Sequence, residues 1–150
     1  MQSTDIQGTF EDCKEIYDSM SQVEKNWFGD HFIESPFLVY RRIFRIGNIS
    51  AGFCEFVDAS KLPKGIEGDL VYSVAVKQEF RRMGIATKLT KDALNWFYKS
   101  NFTSITYRVK QDNFGSIALA RSLNFTQLPQ NRLYKEIQKT EYVFIKEKSQ

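Results

Sequence analysis

The chain has little of what specialised sites are most often built from. It holds one histidine, two cysteines and three prolines in 150 residues. One histidine and two separated cysteines cannot assemble a metal-ligand cluster. Cys13 and Cys54 lie inside apolar-patterned segments, so they read as buried free thiols rather than as a disulfide. No apolar run reaches the roughly 20 residues that cross a bilayer. The opening MQSTDIQGTF lacks the basic-then-apolar pattern of a secretory signal, so the expected location is the cytoplasm. Neither sign of charge dominates: 21 Lys and Arg against 18 Asp and Glu leave a net +3. That balance suits an anionic ligand and is not a nucleic-acid signature. Repeats, low-complexity tracts and linkers are also missing, which leaves one domain over residues 1–150.

What is present is aromatic and periodic. Thirteen Phe head an aromatic content of 15%, most of it expected in a core. Cys13, Ile16, Tyr17 and Met20 recur at helical spacing, with Thr9 as a cap and Asp12 three residues on. Ser21 and Glu24 have capping-box spacing and open a second short helix carrying Trp27, Phe28 and Phe32, ended by Ser35-Pro36. The period then changes. Residues 37–45 and 49–57 read as a hairpin around Ile46-Gly47-Asn48, and 69–76 reads as a central strand buried on both faces. A helix follows over 84–100, with Ile85, Leu89, Ala93, Trp96 and Phe97 on one face. A strand over 103–109 leads to a helix over 113–123, with Asn113 at its start and Asn124 as the left-handed residue past its end. Two closing strands, about 132–137 and 141–147, read as a hairpin. The pattern indicates α/β or α+β with a mixed sheet.

The chemistry concentrates in residues 74–87, from Val74, Ala75 and Val76 through Arg81, Arg82, Met83, Gly84, Ile85 and Ala86 to Thr87. A buried strand ends, a short loop carries two arginines, and a helix opens on a glycine and a small residue. The first N–H groups of a helix lack intrahelical partners and the macrodipole adds positive charge there. Gly84 and Ala86 let a ligand approach the backbone. The physical reading is a diphosphate cradle at the carboxyl end of a strand.

Arg81-Arg82-Met83-Gly84-Ile85-Ala86 resembles the Arg/Gln-x-x-Gly-x-Gly/Ala signature of the GNAT superfamily of acetyl-CoA-dependent N-acetyltransferases. Downstream, the run from Asn113 through Ser116 and Leu119 to Leu123-Asn124-Phe125 resembles the family's second signature, and the order and separation of the two also fit. The resemblance covers about residues 69–126 clearly and 37–68 loosely. It implies a central mixed, mostly antiparallel sheet of about six to seven strands flanked by about four helices. It also implies acetyl-CoA as co-substrate and direct transfer of its acetyl group to a primary amine of a small molecule or peptide. In the family the fourth and fifth strands splay, and the pantetheine arm lies in the gap. Backbone groups around Val74 and Val76 would pair with the arm, and an N–H near Val76 would polarise the thioester carbonyl. Asn113 would contact the arm near the sulfur, supported by Ser116.

Two departures bear on catalysis. The family's tyrosine, seven residues after the asparagine, is Ala120 here, which leaves Tyr107 or Tyr134 as candidate acids, or no side-chain acid at all. The family's fourth-strand glutamate falls near Tyr72, so Glu55, Tyr72 or a water chain is left to take the amine proton. An alternative reading therefore stands beside the enzyme: a catalytically impaired acyl-CoA-binding module with a regulatory or interaction role. Arg41, Arg42 and Arg45 read as a solvated basic stripe and His31 as a surface or packed residue. Asp58, Glu67 and Asp69 are the acidic residues that a cationic acceptor would need. The last strand reads either as central or as an edge that can pair in a homodimer.

Overall fold

Runs with a period of two and runs with a helical period alternate along the chain, and each builds the element its pattern favours. The computed structural model describes residues 2–5, 8–28, 32–61 and 68–148. The readings made for His31 and Glu67 lie outside the described residues. Strand β1 (Gln2–Asp5) is followed by helices α1 (Phe10–Asp18) and α2 (Gln22–Lys25) and a 3-10 turn over Asn26–Phe28. Strands β2 (Leu38–Ile46), β3 (Ile49–Asp58) and β4 (Leu70–Val76) come next, then helix α3 (Ile85–Lys99). Strand β5 (Ser104–Lys110), helix α4 (Phe114–Ser122), strand β6 (Thr126–Gln127), helix α5 (Lys135–Thr140) and strand β7 (Glu141–Glu147) complete the chain.

The strands form one sheet in the order β1-β2-β3-β4-β5-β7-β6. Every neighbouring pair is antiparallel except β4 with β5. Successive strand residues point to opposite faces, so each face gathers its own apolar set. On one face Cys13, Ile16 and Met20 pack on Ile43, Phe53 and Ala75, with Phe28 and Phe32 against them. On the other, α3 sets Ile85, Leu89, Ala93 and Phe97 over Cys54, Phe56, Tyr72 and Val76. Burying a Leu or Phe side chain contributes about 1.5–3 kcal/mol, so these faces hold the sheet together. Both cysteines are buried and free, one on each face. Gly52 brings α3 close to the sheet, because a Cβ there would meet the Ala75 carbonyl at 3.0 Å and Ile85 Cγ2 at 3.2 Å.

Three features differ from the sequence reading. The polar run Gln2–Asp5 forms an edge strand by pairing with Ile43–Ile46. Residues 132–137 do not form a strand. Leu133, extended ahead of α5, and Ile137 within it cover Leu128, Val143 and Ile145, and the partner of β7 is the short β6. The arginines of β2 do not make a solvated stripe. Arg41 pairs with Glu55 and Glu34, Arg42 with Asp92 and Arg45 with Asp12. Neighbouring strand residues serve opposite faces, so Arg41 and Arg42 find carboxylates on opposite sides of the sheet.

The sheet opens in the middle. β4 and β5 are joined only at Leu70/Ile105 and Val71/Thr106. β5 runs on beside β7 as far as Lys110, so the second half of β4 has a bare edge. No described helix is long and apolar enough to cross a membrane.

Candidate active site

Strand parity decides what the bare edge of β4 presents. The Lys77 N–H bonds the Ala51 carbonyl, and the Asp69 carbonyl accepts from the Ala59 N–H. Odd-numbered residues of β4 therefore bond to β3, and Val74 and Val76 turn their peptide groups toward the opening. A ligand with amide groups finds there the donors and acceptors of a strand that has lost its neighbour.

The loop after β4 leads into a helix start without a side-chain cap. Gly84 begins α3 in the left-handed region at φ 78°, and no side chain caps the helix start. The first turn carries no acidic residue. Arg82 is also left-handed, at φ 64°, a conformation that costs a non-glycine residue about 1–2 kcal/mol. It is exposed, and among the described residues no carboxylate pairs with it. Arg81 behaves differently. Its Nε donates to the Val76 carbonyl at 3.0 Å, and its guanidinium pairs with Glu24 of α2. Burial alone would raise the Glu24 carboxyl, but the Ser21 N–H and Arg81 outweigh it and hold the group below the usual carboxylate range.

These parts meet in a cleft of about 580 Å³. Val74, Ala75, Val76, Arg81, Arg82, Gly84, Ile85, Ala86 and Thr87 line one wall, and Asn113 and Ser116 belong to the other. Asn113 caps α4, its Oδ1 accepting from the Ser116 N–H at 3.2 Å. Met20, Trp27 and Phe28, expected in the core, also line the cleft. Met83 is half exposed and is not part of the lining.

The structure does not bring Tyr72 or Glu55 into the cleft. Tyr72 lies under α3, 3% exposed, with its hydroxyl 2.7 Å from Thr90 Oγ1. Burial pushes its pKa well up, which suits a structural hydroxyl. Glu55 stands on β3 facing α1, held by Arg41 Nε at 2.8 Å and 4.0 Å from Cys13 Sγ. Its carboxyl is pushed up by burial against the opposing pull of Arg41. Asp69 is likewise engaged, accepting from the Thr103 N–H and hydroxyl, both at 2.7 Å. Asp58 accepts from Ser60. Tyr134 is exposed at the start of α5 and outside the cleft lining. Tyr107 and Ala120 are buried in the core cluster under α3 and α4.

A parallel strand pair splayed beside an uncapped helix start defines the cleft. A family model described as the acetyltransferase (GNAT) family matches residues 6–125, and the chain belongs to that family. No curated protein sequence matches the chain. Its fold is similar to the GNAT domain of S. lividans PAT, with a TM-score of 0.75 and 13% identity over 97% of this chain and 89% of that one. It is also similar to yncA from Salmonella typhimurium, solved with its cofactor acetyl-CoA, with a TM-score of 0.66 and 16% identity over 97% and 93%. The ribosomal-protein-S18-alanine N-acetyltransferase from Escherichia coli gives 0.63 and 14% over 97% and 91%. At these identities the likeness is one of fold.

Proposed function

We propose that the chain is an N-acetyltransferase that takes acetyl from acetyl-CoA and passes it directly to a primary amine of a small molecule or peptide. The observation that carries this reading is the uncapped start of α3 beside the bare edge of β4. The N–H groups of that first turn, with Arg82, suit a diphosphate. The N–H and carbonyl of Val74 and the N–H of Val76, whose carbonyl Arg81 holds, suit the amides of the pantetheine arm. The Val76 N–H is the donor for the thioester carbonyl. Asn113 has spent its oxygen on Ser116, which leaves its NH₂ to donate near the departing sulfur.

Among the described residues the cleft lining has neither carboxylate nor histidine. An amine acceptor therefore reacts as its neutral form, having lost its proton to water rather than to a side chain of the lining. The same composition disfavours a polycationic acceptor, since the only charges in the lining are Arg81 and Arg82.

The test is calorimetric titration with acetyl-CoA and desulfo-CoA, on the wild type and on Gly84→Glu. A Cβ at position 84 meets nothing within 4 Å, so the substitution starts from open space. Its cost to stability is the left-handed strain of about 1–2 kcal/mol. Its charge stands where phosphate is expected, and binding should vanish at ligand concentrations of about 1 mM. Thiol release from acetyl-CoA with an amine then separates the enzyme from a binding module that has lost catalysis. Failure of the wild type to bind either ligand overturns the reading.

A further inference from the structure

We infer that Glu24 is a positioning residue for acetyl transfer: acting through Arg81, it fixes the last peptide of β4, and Arg81 is thereby withdrawn from phosphate binding. The inference rests on the acetyl-CoA reading of the cleft.

Val76 ends β4 where the sheet has already opened, so no strand on that side holds its carbonyl. Arg81 Nε takes the place of the missing strand at 3.0 Å. The same peptide is held on β3 by the Lys77 N–H on the Ala51 carbonyl. Arg81 adds the hold from the open side and steadies the residue whose N–H, in the preceding peptide, faces the reacting carbonyl. The guanidinium is planar, so its orientation on Val76 is set by what its other nitrogens meet. They meet Glu24.

Glu24 is itself held from two sides. It is 7% exposed, and both carboxylate oxygens are used. Oε1 accepts the Ser21 N–H at 2.9 Å, closing the capping box of α2, and Oε2 pairs with Arg81. A few residues on, Trp27 Nε1 donates to Asp112 Oδ1 at 3.1 Å, beside Asn113 on the opposite wall. The segment from Ser21 to Phe28 thus ties the two lips of the opening together, with Trp27 and Phe28 lining the cleft between the ties. Arg82, exposed and without a carboxylate partner among the described residues, is left to meet phosphate.

The test separates turnover from affinity. Glu24→Gln keeps an oxygen for the Ser21 cap and removes the charge that orients Arg81. Thiol release from saturating acetyl-CoA, with water or an amine as acceptor, should fall about tenfold or more, because small misplacements near reacting atoms are expensive in rate. The calorimetric Kd for desulfo-CoA should stay within about threefold, and Arg81→Gln should show the same split. In the Arg81→Gln background, Glu24→Gln should have no further effect, since one residue acts through the other. Parallel loss of affinity and turnover in Glu24→Gln would overturn the inference, as would effects of the two variants that simply multiply. If Glu24→Gln does not fold, Arg81→Gln alone decides: retained affinity with lost turnover supports the assignment, and lost affinity refutes it. A wild type that binds no desulfo-CoA removes the acetyl-CoA reading and this inference with it. That outcome is distinct from a wild type that binds while its variants fail to split.

Discussion

Helices α1 and α2 begin with the side chains of Thr9 and Ser21 on their own first-turn N–H groups, whereas α3 begins at Gly84 with no cap. The arginines divide the same way. Arg41, Arg42 and Arg45 on β2 each meet a carboxylate, while Arg82 in the loop before α3 meets none among the described residues. One region completes its own polar network and the other leaves groups for something else to complete. A helix start with free N–H groups and no acid in its first turn is a cost to stability that a bound anion can offset. Changes in the completed region should therefore move stability and leave ligand affinity alone. Changes in the open region should act chiefly on affinity, and Gly84→Glu should abolish binding with a stability cost limited to its left-handed strain.

The largest effect is expected at the most buried pair of the completed region. Arg41 and Glu55 approach to 2.7 Å with side chains 8% and 13% exposed. Glu55→Ala leaves the guanidinium buried with Glu34 and the Gly8 carbonyl as its remaining partners among the described residues. Breaking such a pair from one side costs about 3 kcal/mol, at the lower end because partners remain. Urea denaturation should show that loss, and the desulfo-CoA Kd should not move. A fall in turnover beyond the folded fraction would instead mean that Glu55 reaches the acceptor, which would blur the division between the two regions.

A smaller effect follows from Asp12, which joins the cap of α1 to Arg45 and Ser50. Burial alone would raise its carboxyl. Hydrogen bonds from the Thr9 N–H, Arg45, Ser50 and the Thr9 hydroxyl outweigh that and bring it from 3.8 to about 2. The folded value lies below the unfolded one. The stabilisation is therefore complete above about pH 4 and is lost as pH falls toward about 2. The group is partly solvated, which reduces the contribution to about 1 kcal/mol. Asp12→Asn should flatten this part of the acid limb in urea melts.

The open region was legible in the sequence because its parts are local. The cradle loop, the start of α4 at Asn113 and the left-handed Asn124 all depend on residues within a few positions of one another. Asn124 at φ 63°, with the Phe125 N–H on the Ala120 carbonyl, closes α4 as its spacing indicates. Both capping boxes were legible for the same reason. What escaped depends on distant partners. Ser21 shows why Glu24 sits where it does, but nothing near Glu24 announces Arg81. Likewise, nothing in the polar run Gln2–Asp5 predicts a strand until β2 lies beside it. The run over 132–137 is short enough to suit either period, and it splits, with Leu133 extended and Ile137 in α5, because both had Val143 and Ile145 to cover. Met20, Trp27 and Phe28 carry the apolar signal of a core, and only the opening between β4 and β5 turns them into cleft lining.

The smallest effect concerns an unsatisfied group on the wrong side of this division. The Tyr107 hydroxyl is buried in the core beside Ser116 without a well-formed hydrogen bond, and burial pushes its pKa up against the opposing pull of Ser116. Its ring packs against Tyr72 at 5.2 Å and Phe125 at 6.0 Å, contacts that do not need the hydroxyl. Tyr107→Phe removes a buried polar group whose contact with Ser116 is poorly formed and keeps the ring, so stability should hold or rise by up to about 1 kcal/mol. If the hydroxyl supplied the proton to the departing thiolate, in place of the tyrosine that Ala120 replaces, the variant would lose turnover while gaining stability. We expect turnover to hold, because Tyr107 is not among the cleft-lining residues and a thiolate with a reference pKa near ~8.5 leaves without a side-chain acid. Thiol-release rates measured beside thermal melts of the same variant decide between the two. Lost turnover would make the core face part of the open region and move the boundary between them to β5.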